Sequence, residues 1–140
     1  VKAPKKAKPA RRGIAFVAID GDGRAFMQIR PERGMLGGMP AFPSAGWTEA
    51  DPPFDPDKPF ASAPFDADWH LAKDQVGHVF THFSLTMDVA VARLDAVMDG
   101  AEWQKVRVSG MPTLMRKVWE TARKAQAATA RPPNGPDGIN

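Results

Sequence analysis

The segment His78-Val79-Phe80-Thr81-His82-Phe83 gathers two imidazoles, a hydroxyl and two phenyl rings in one short stretch. Hydroxyl and imidazole groups can read the donor and acceptor edges of nucleic-acid bases, and a phenyl ring can wedge into a base stack. The plainer alternative is a pair of core aromatics beside two surface histidines. Other chemistries have weaker support. His78 and His82 are four residues apart, but their surroundings read as strand and turn, so the spacing makes no ready zinc pair and no metal site is expected. The acids Asp51, Asp55, Asp57, Asp66 and Asp68 are scattered through a proline-rich stretch and read as a solvated loop. The run Gly34-Met35-Leu36-Gly37-Gly38 lacks the Lys-Ser/Thr ending that grips phosphate, so its glycines read as backbone freedom near a turn. No catalytic residue is assigned.

The elements that must carry this segment are mostly strands, then a helix. Gly13–Ile19 is apolar and β-branched, as in a strand buried on both faces. Gly21-Asp22-Gly23 supplies a turn, and Arg24–Arg30 is expected to return as the second strand of a hairpin. A loop over 31–38 leads to a short strand over Met39–Phe42. Residues 43–68 read as a long irregular connection, of the kind that is uncommon unless functional or mobile. Short strands are expected over Trp69–Leu71, Gln75–Val79 and Trp103–Val108. Phe83–Leu94 alternates, with Phe83, Leu85, Met87, Val89 and Val91 on one face and Ser84, Thr86 and Asp88 on the other, as a half-buried strand does. Pro112 opens the clearest helix, which places Leu114, Met115, Val118, Trp119, Ala122 and Ala125 on one face. Arg116, Lys117, Glu120, Arg123 and Lys124 fall on the opposite face, an ordinary solvated surface that also offers phosphate contacts at Arg116 and Lys117.

At 140 residues the chain has room for one domain with a real core. It has no cysteine, which excludes a disulfide scaffold and cysteine-held zinc or iron–sulfur sites and fits a reducing, cytoplasmic setting. No apolar run is long enough for a membrane span, and no apolar stretch follows the basic N-terminus as in a secretory signal. The first residue is Val1, as expected for a piece of a longer protein. The net charge of +3 is uneven: residues 1–12 hold Lys2, Lys5, Lys6, Lys8, Arg11 and Arg12 and no acid, leaving 13 basic and 16 acidic residues elsewhere. Residues 1–10 read as a basic linker, 11–128 as the folded domain, and 129–140 as a disordered Pro/Gly tail. Lys5, Lys6, Arg11 and Arg12 are candidate phosphate contacts, since a basic arm attracts a polyanion.

Three segments resemble the C-terminal domain of bacterial adenine DNA glycosylases of the MutY type. Arg33-Gly34-Met35-Leu36-Gly37-Gly38-Met39-Pro40-Ala41-Phe42-Pro43 is similar to R-G-L-L-G-G-M-W-E-F-P. His78-Val79-Phe80-Thr81-His82-Phe83-Ser84-Leu85 is similar to H-x-F-S/T-H-F-x-L. Met111-Pro112-Thr113-Leu114-Met115-Arg116-Lys117-Val118 is similar to L-P-S/T-L-M-R-K-V. The match spans roughly residues 11–125. Pro40, Ala41, Thr81 and Ser84 depart from the family's usual Trp, Glu, Ser and His.

The resemblance implies an α+β, Nudix-like fold: a mixed sheet packed by helices. It also implies recognition of 8-oxoguanine opposite adenine in duplex DNA. The expected partners are such a duplex and the N-terminal glycosylase domain of the same parent chain, which would hold the iron–sulfur cluster; no cofactor is expected in this chain, and a monomer is expected. Carried over, Phe80 would wedge at the lesion, Thr81 would meet its N7/O8 edge, His82 would sense the 2-amino group, and His78 would lie beside them. A Nudix-type phosphohydrolase of an oxidised nucleotide is the alternative, but the sequence lacks the R-E-x2-E-E glutamates that hold metal in such enzymes. A protein-interaction module with a nonspecific basic arm is a third reading.

Overall fold

The computed structural model describes residues 9–30, 36–48 and 51–129. The basic arm, with Lys5 and Lys6, and the Pro/Gly tail beyond Thr129 lie outside the described residues, as do Gly34 and Met35 of the glycine-rich run.

Two long strands form the axis. β1 (Ala10–Ile19) and β8 (Ser84–Arg93) run parallel in unbroken register, from Ala10 opposite Ser84 to Ile19 opposite Arg93. Around them lie β2 (Ala25–Phe26), β5 (Ser44–Ala45), β6 (His70–Leu71), β7 (Val76–Val79) and β9 (Trp103–Gln104) in one mixed sheet ordered β6-β8-β1-β2-β9, with β5 also on β1 and β7 also on β8. β3 (Gln28–Ile29) and β4 (Pro40–Ala41) make a separate small ladder.

The sheet is buried on both sides because alternate residues of β1 and β8 are apolar on both faces. On one side Ala15, Val17, Leu85, Met87, Val89 and Val91 pack against the helix α1 (Thr113–Thr129) through Leu114, Met115, Val118, Trp119 and Ala122. The helix face expected from its 3.6-residue spacing is the buried one. Phe42 stacks on Trp119 at 5.9 Å and joins β4 to this layer.

The other side is closed by the proline-rich segment. Phe65 contacts Trp69 at 5.7 Å and Phe26 at 5.2 Å, Phe16 meets Trp69 edge-on at 5.3 Å, and the Trp69 indole N–H donates to the Phe65 carbonyl at 3.0 Å. Irregularly spaced aromatics, not periodicity, make this stretch a structural layer. Asp55, Asp57, Asp66 and Asp68 face solvent as expected, but Asp51 does not: its buried carboxylate pairs with Arg30 at 2.6 Å.

Four sequence expectations need correction. Arg24–Arg30 is not one strand along β1. Only Ile19 and Ala25 pair, because β5 occupies the edge of β1 further back, at Ile14 and Ala15. β5 sits close enough there that a Cβ at Gly13 would collide with the Ala45 carbonyl. The chain therefore breaks at buried Met27, and β3 turns to β4 instead. The strand expected over Trp103–Val108 stops at Gln104, opposite Ala25, the first residue of its partner β2. β8 is half-buried only at its start; beyond Thr86 both faces are covered, with Ala90 and Ala92 under the second aromatic layer. Finally, one helix packs the sheet among the described residues, not several; the proline-rich layer takes the opposite face. None of the helices described here is long and apolar enough to cross a membrane.

Candidate nucleic-acid interface

β7 and β8 form an antiparallel hairpin in which His78 pairs with Leu85 and Val79 with Ser84. The Phe80 N–H donates to the Phe83 carbonyl at 2.8 Å, which leaves Thr81 and His82 as the two residues of the tip. Both are exposed, and neither side chain has a hydrogen-bond partner among the described residues. A hydroxyl with donor and acceptor capacity and an imidazole thus stand in solvent with their hydrogen-bonding capacity uncommitted.

Their base is tightly packed. Phe80 is half-buried and packs against Phe83 at 4.8 Å, His78 edge-on at 4.6 Å, and the fully buried Trp47 at 6.1 Å. The Arg30 guanidinium lies 4.8 Å from the Trp47 ring on its way to Asp51. Val79, next to this cluster, is 68% exposed and offers an apolar surface beside the tip.

α1 reaches the hairpin through Lys117. Its ammonium donates to the Gly77 carbonyl at 2.9 Å and stands 3.3 Å from His78 Nδ1. Partial burial of the ring, reinforced by this positive neighbour, holds the His78 pKa below the ordinary histidine value of 6.5. His78 is therefore neutral at neutral pH. With Nδ1 facing a cation, the ring proton sits on Nε2.

The N-terminal arm joins the fold at this same place. The Pro9 carbonyl accepts the Ser84 N–H at 3.0 Å, so the described chain starts beside the hairpin. The structure distinguishes the four described candidates for phosphate contact. Arg116 is exposed on α1. Lys117 is held by β7. Arg12 is paired with Asp88 at 3.1 Å, and Asp88 also accepts from Gln75 at 2.6 Å, so much of the Arg12 charge is neutralised within the fold. Arg11 places its guanidinium carbon over the Phe83 ring at 4.0 Å and donates to the Trp47 carbonyl at 3.0 Å.

Phe80, Thr81, His82 and His78, singled out from sequence, thus come together at one end of the sheet. Sequence reasoning did not find Trp47, Arg30 or the engagement of Arg11 and Lys117, since each depends on contacts between distant segments. The one local hint at Trp47 is Gly46 before it, with φ of 86°, where the backbone needs glycine to bring the indole inward. Of the three histidines, His70 lies apart in β6, and no group of three or more His, Asp or Glu converges among the described residues.

The chain belongs to the NUDIX domain family, whose model matches residues 14–121. Among solved structures it is similar to the C-terminal domain of mouse MUTYH, in a complex with human PCNA: 18% identity, a TM-score of 0.61, and coverage of 84% of this chain and 90% of that one. It is also similar to a MutT protein from Methanosarcina mazei, at 13% identity and a TM-score of 0.56 over 91% of this chain and all of that one. The NUDIX domain of Shewanella oneidensis NrtR, in complex with ADP ribose, has a TM-score of 0.50 at 14% identity, over 86% of this chain and 89% of that domain. At these identities the likeness concerns the fold. No curated protein sequence matches the chain.

Proposed function

We propose that this domain recognises 8-oxoguanine opposite adenine in duplex DNA, as the lesion-checking part of an adenine DNA glycosylase. The observation that carries the reading is the exposed, uncommitted Thr81–His82 tip on a tightly packed aromatic base. Oxidation converts guanine N7 from an acceptor into a donor and adds an acceptor at O8. The Thr81 hydroxyl can answer either group, and His82 can test the 2-amino group. Phe80 is half-buried between Phe83 and Trp47, so it would meet the lesion with the exposed edge of its ring, and its fixed position leaves little extra rotamer freedom to freeze. The entry of the arm beside the hairpin supports a shared DNA site for the arm, the tip and a catalytic domain attached upstream.

A second reading, hydrolysis of an oxidised nucleotide, draws on the MutT-like fold. The glutamate supply opposes it. The whole chain has four, Glu32, Glu49, Glu102 and Glu120, at separations that cannot form the paired acidic run of Nudix hydrolases. One set of measurements separates the readings. Fluorescence anisotropy of the chain on duplexes pairing adenine with oxidised or normal guanine should give tighter binding to the oxidised duplex. Incubation with oxidised guanosine triphosphate and magnesium should release no pyrophosphate. Equal binding to both duplexes together with metal-dependent turnover would replace the first reading by the second.

A further inference from the structure

One basic residue beside the hairpin is built into its base instead of standing free. Five groups form a continuous column: Arg11, Phe83, Phe80, Trp47 and Arg30. The successive separations are 4.0 Å, 4.8 Å, 6.1 Å and 4.8 Å. A guanidinium caps each end, and Phe80 is the middle member. The inner cap is fixed: Arg30 is buried and paired with Asp51 at 2.6 Å. The outer cap is Arg11, which lies opposite Leu85 at the start of β1, the edge that the hairpin must fold against. Its guanidinium carbon sits over the Phe83 ring while an N–H holds the Trp47 carbonyl at 3.0 Å, so one side chain ties the second and fourth members of the column together. Only a planar, multiply donating cation can stack and bridge at once; an ammonium cannot.

We infer that Arg11 is a positioning residue for the recognition hairpin, acting through Phe83 and Trp47 on Phe80 and the tip, and not a simple phosphate contact. What it positions for, lesion preference, rests on the function proposed above. The packing claim stands apart from that reading and can be tested apart from it.

The test compares the full 140-residue chain with its Arg11→Lys, Arg11→Ala and Phe83→Leu variants. Arg11 is at the exposed start of β1, so its replacement leaves the core intact. In amide proton–nitrogen spectra, all three variants should move and broaden the Thr81 and His82 signals while those of α1 stay in place. On DNA, Arg11→Lys keeps the charge, so its salt dependence should match the parent's. Its preference for oxidised over normal guanine should nevertheless fall about three-fold, the size of one exposed cation–π contact. Tip signals and preference both unchanged in Arg11→Lys, with a salt slope smaller by about one in Arg11→Ala, would make Arg11 a phosphate contact and overturn the inference. A parent chain without any preference would sink the lesion reading alone; the spectra would then decide the role of Arg11 by themselves, undisturbed tip signals refuting it.

Discussion

The β1–β8 pair is closed by a turn at each end, about 30 Å apart for ten-residue strands, and the two ends use polar side chains in opposite ways. At the far end the Asp20 carboxylate is buried and accepts from the backbone N–H groups of Asp22, Arg24 and Met98 and from the Arg24 guanidinium at 2.9 Å. Burial alone would raise its pKa, but these donors outweigh it and hold the group below the ordinary 3.8. At the near end Thr81 and His82 are exposed and bond to nothing described, while the groups beneath them are packed or paired. Polar groups whose partners lie within the chain hold a turn together. Polar groups left open on a rigid base are available to a ligand.

Breaking the two ends in turn should separate stability from binding. The largest effect falls at the far end. Asp20→Ala strips the partners of a buried ion pair and should cost about 3 kcal/mol of stability, read by urea unfolding, while leaving preference among duplexes unchanged. Because the folded pKa of Asp20 is depressed, its stabilisation is present above the ordinary value and is lost as pH falls through the folded pKa. A loss of lesion preference in Asp20→Ala would mean that the ends are coupled.

Removing residues 1–8 tests the arm without touching β1. Overall DNA affinity should drop and the salt slope should shrink by about 0.9 for each lysine that touches phosphate, with the preference ratio unaltered. An unchanged slope would make the arm a connector only.

The smallest effect concerns His78. Its folded pKa is depressed, so below the ordinary value of 6.5 the unfolded chain binds a proton that the folded chain resists. Stability should therefore decline as pH falls from 6.5 toward the folded pKa, and His78→Gln should remove that part of the decline. Equal slopes in the two proteins would contradict the depressed pKa that burial and the Lys117 ammonium give His78.

Much of this arrangement was legible in the sequence because it rests on short-range patterns. β1 follows from its apolar, β-branched run, the apolar faces of α1 and β8 follow from local periodicity, and the Phe80–Phe83 segment stands out by composition. What was not legible depends on partners far away in the chain. Arg24–Arg30 has the residues of one strand, yet β5 blocks its edge. The proline-rich stretch has no period, yet Phe65 and Trp69 form a core layer. Arg11 and Arg12 look equivalent, but Asp88 lies beside one and Phe83 beneath the other. Asp51 looks like its solvated neighbours until Arg30 is placed next to it.

The most direct test of the account is the preference ratio of the Thr81→Val, His82→Ala double variant. Thr81→Ser keeps the hydroxyl and serves as the matched control. Both side chains are exposed, so stability should change by no more than about 0.5 kcal/mol. The double variant should lose on the order of 1–3 kcal/mol of its preference for oxidised over normal guanine opposite adenine, and Thr81→Ser should retain it. A double variant that folds and still prefers the oxidised duplex as strongly as the parent would show that this hairpin is not the reader.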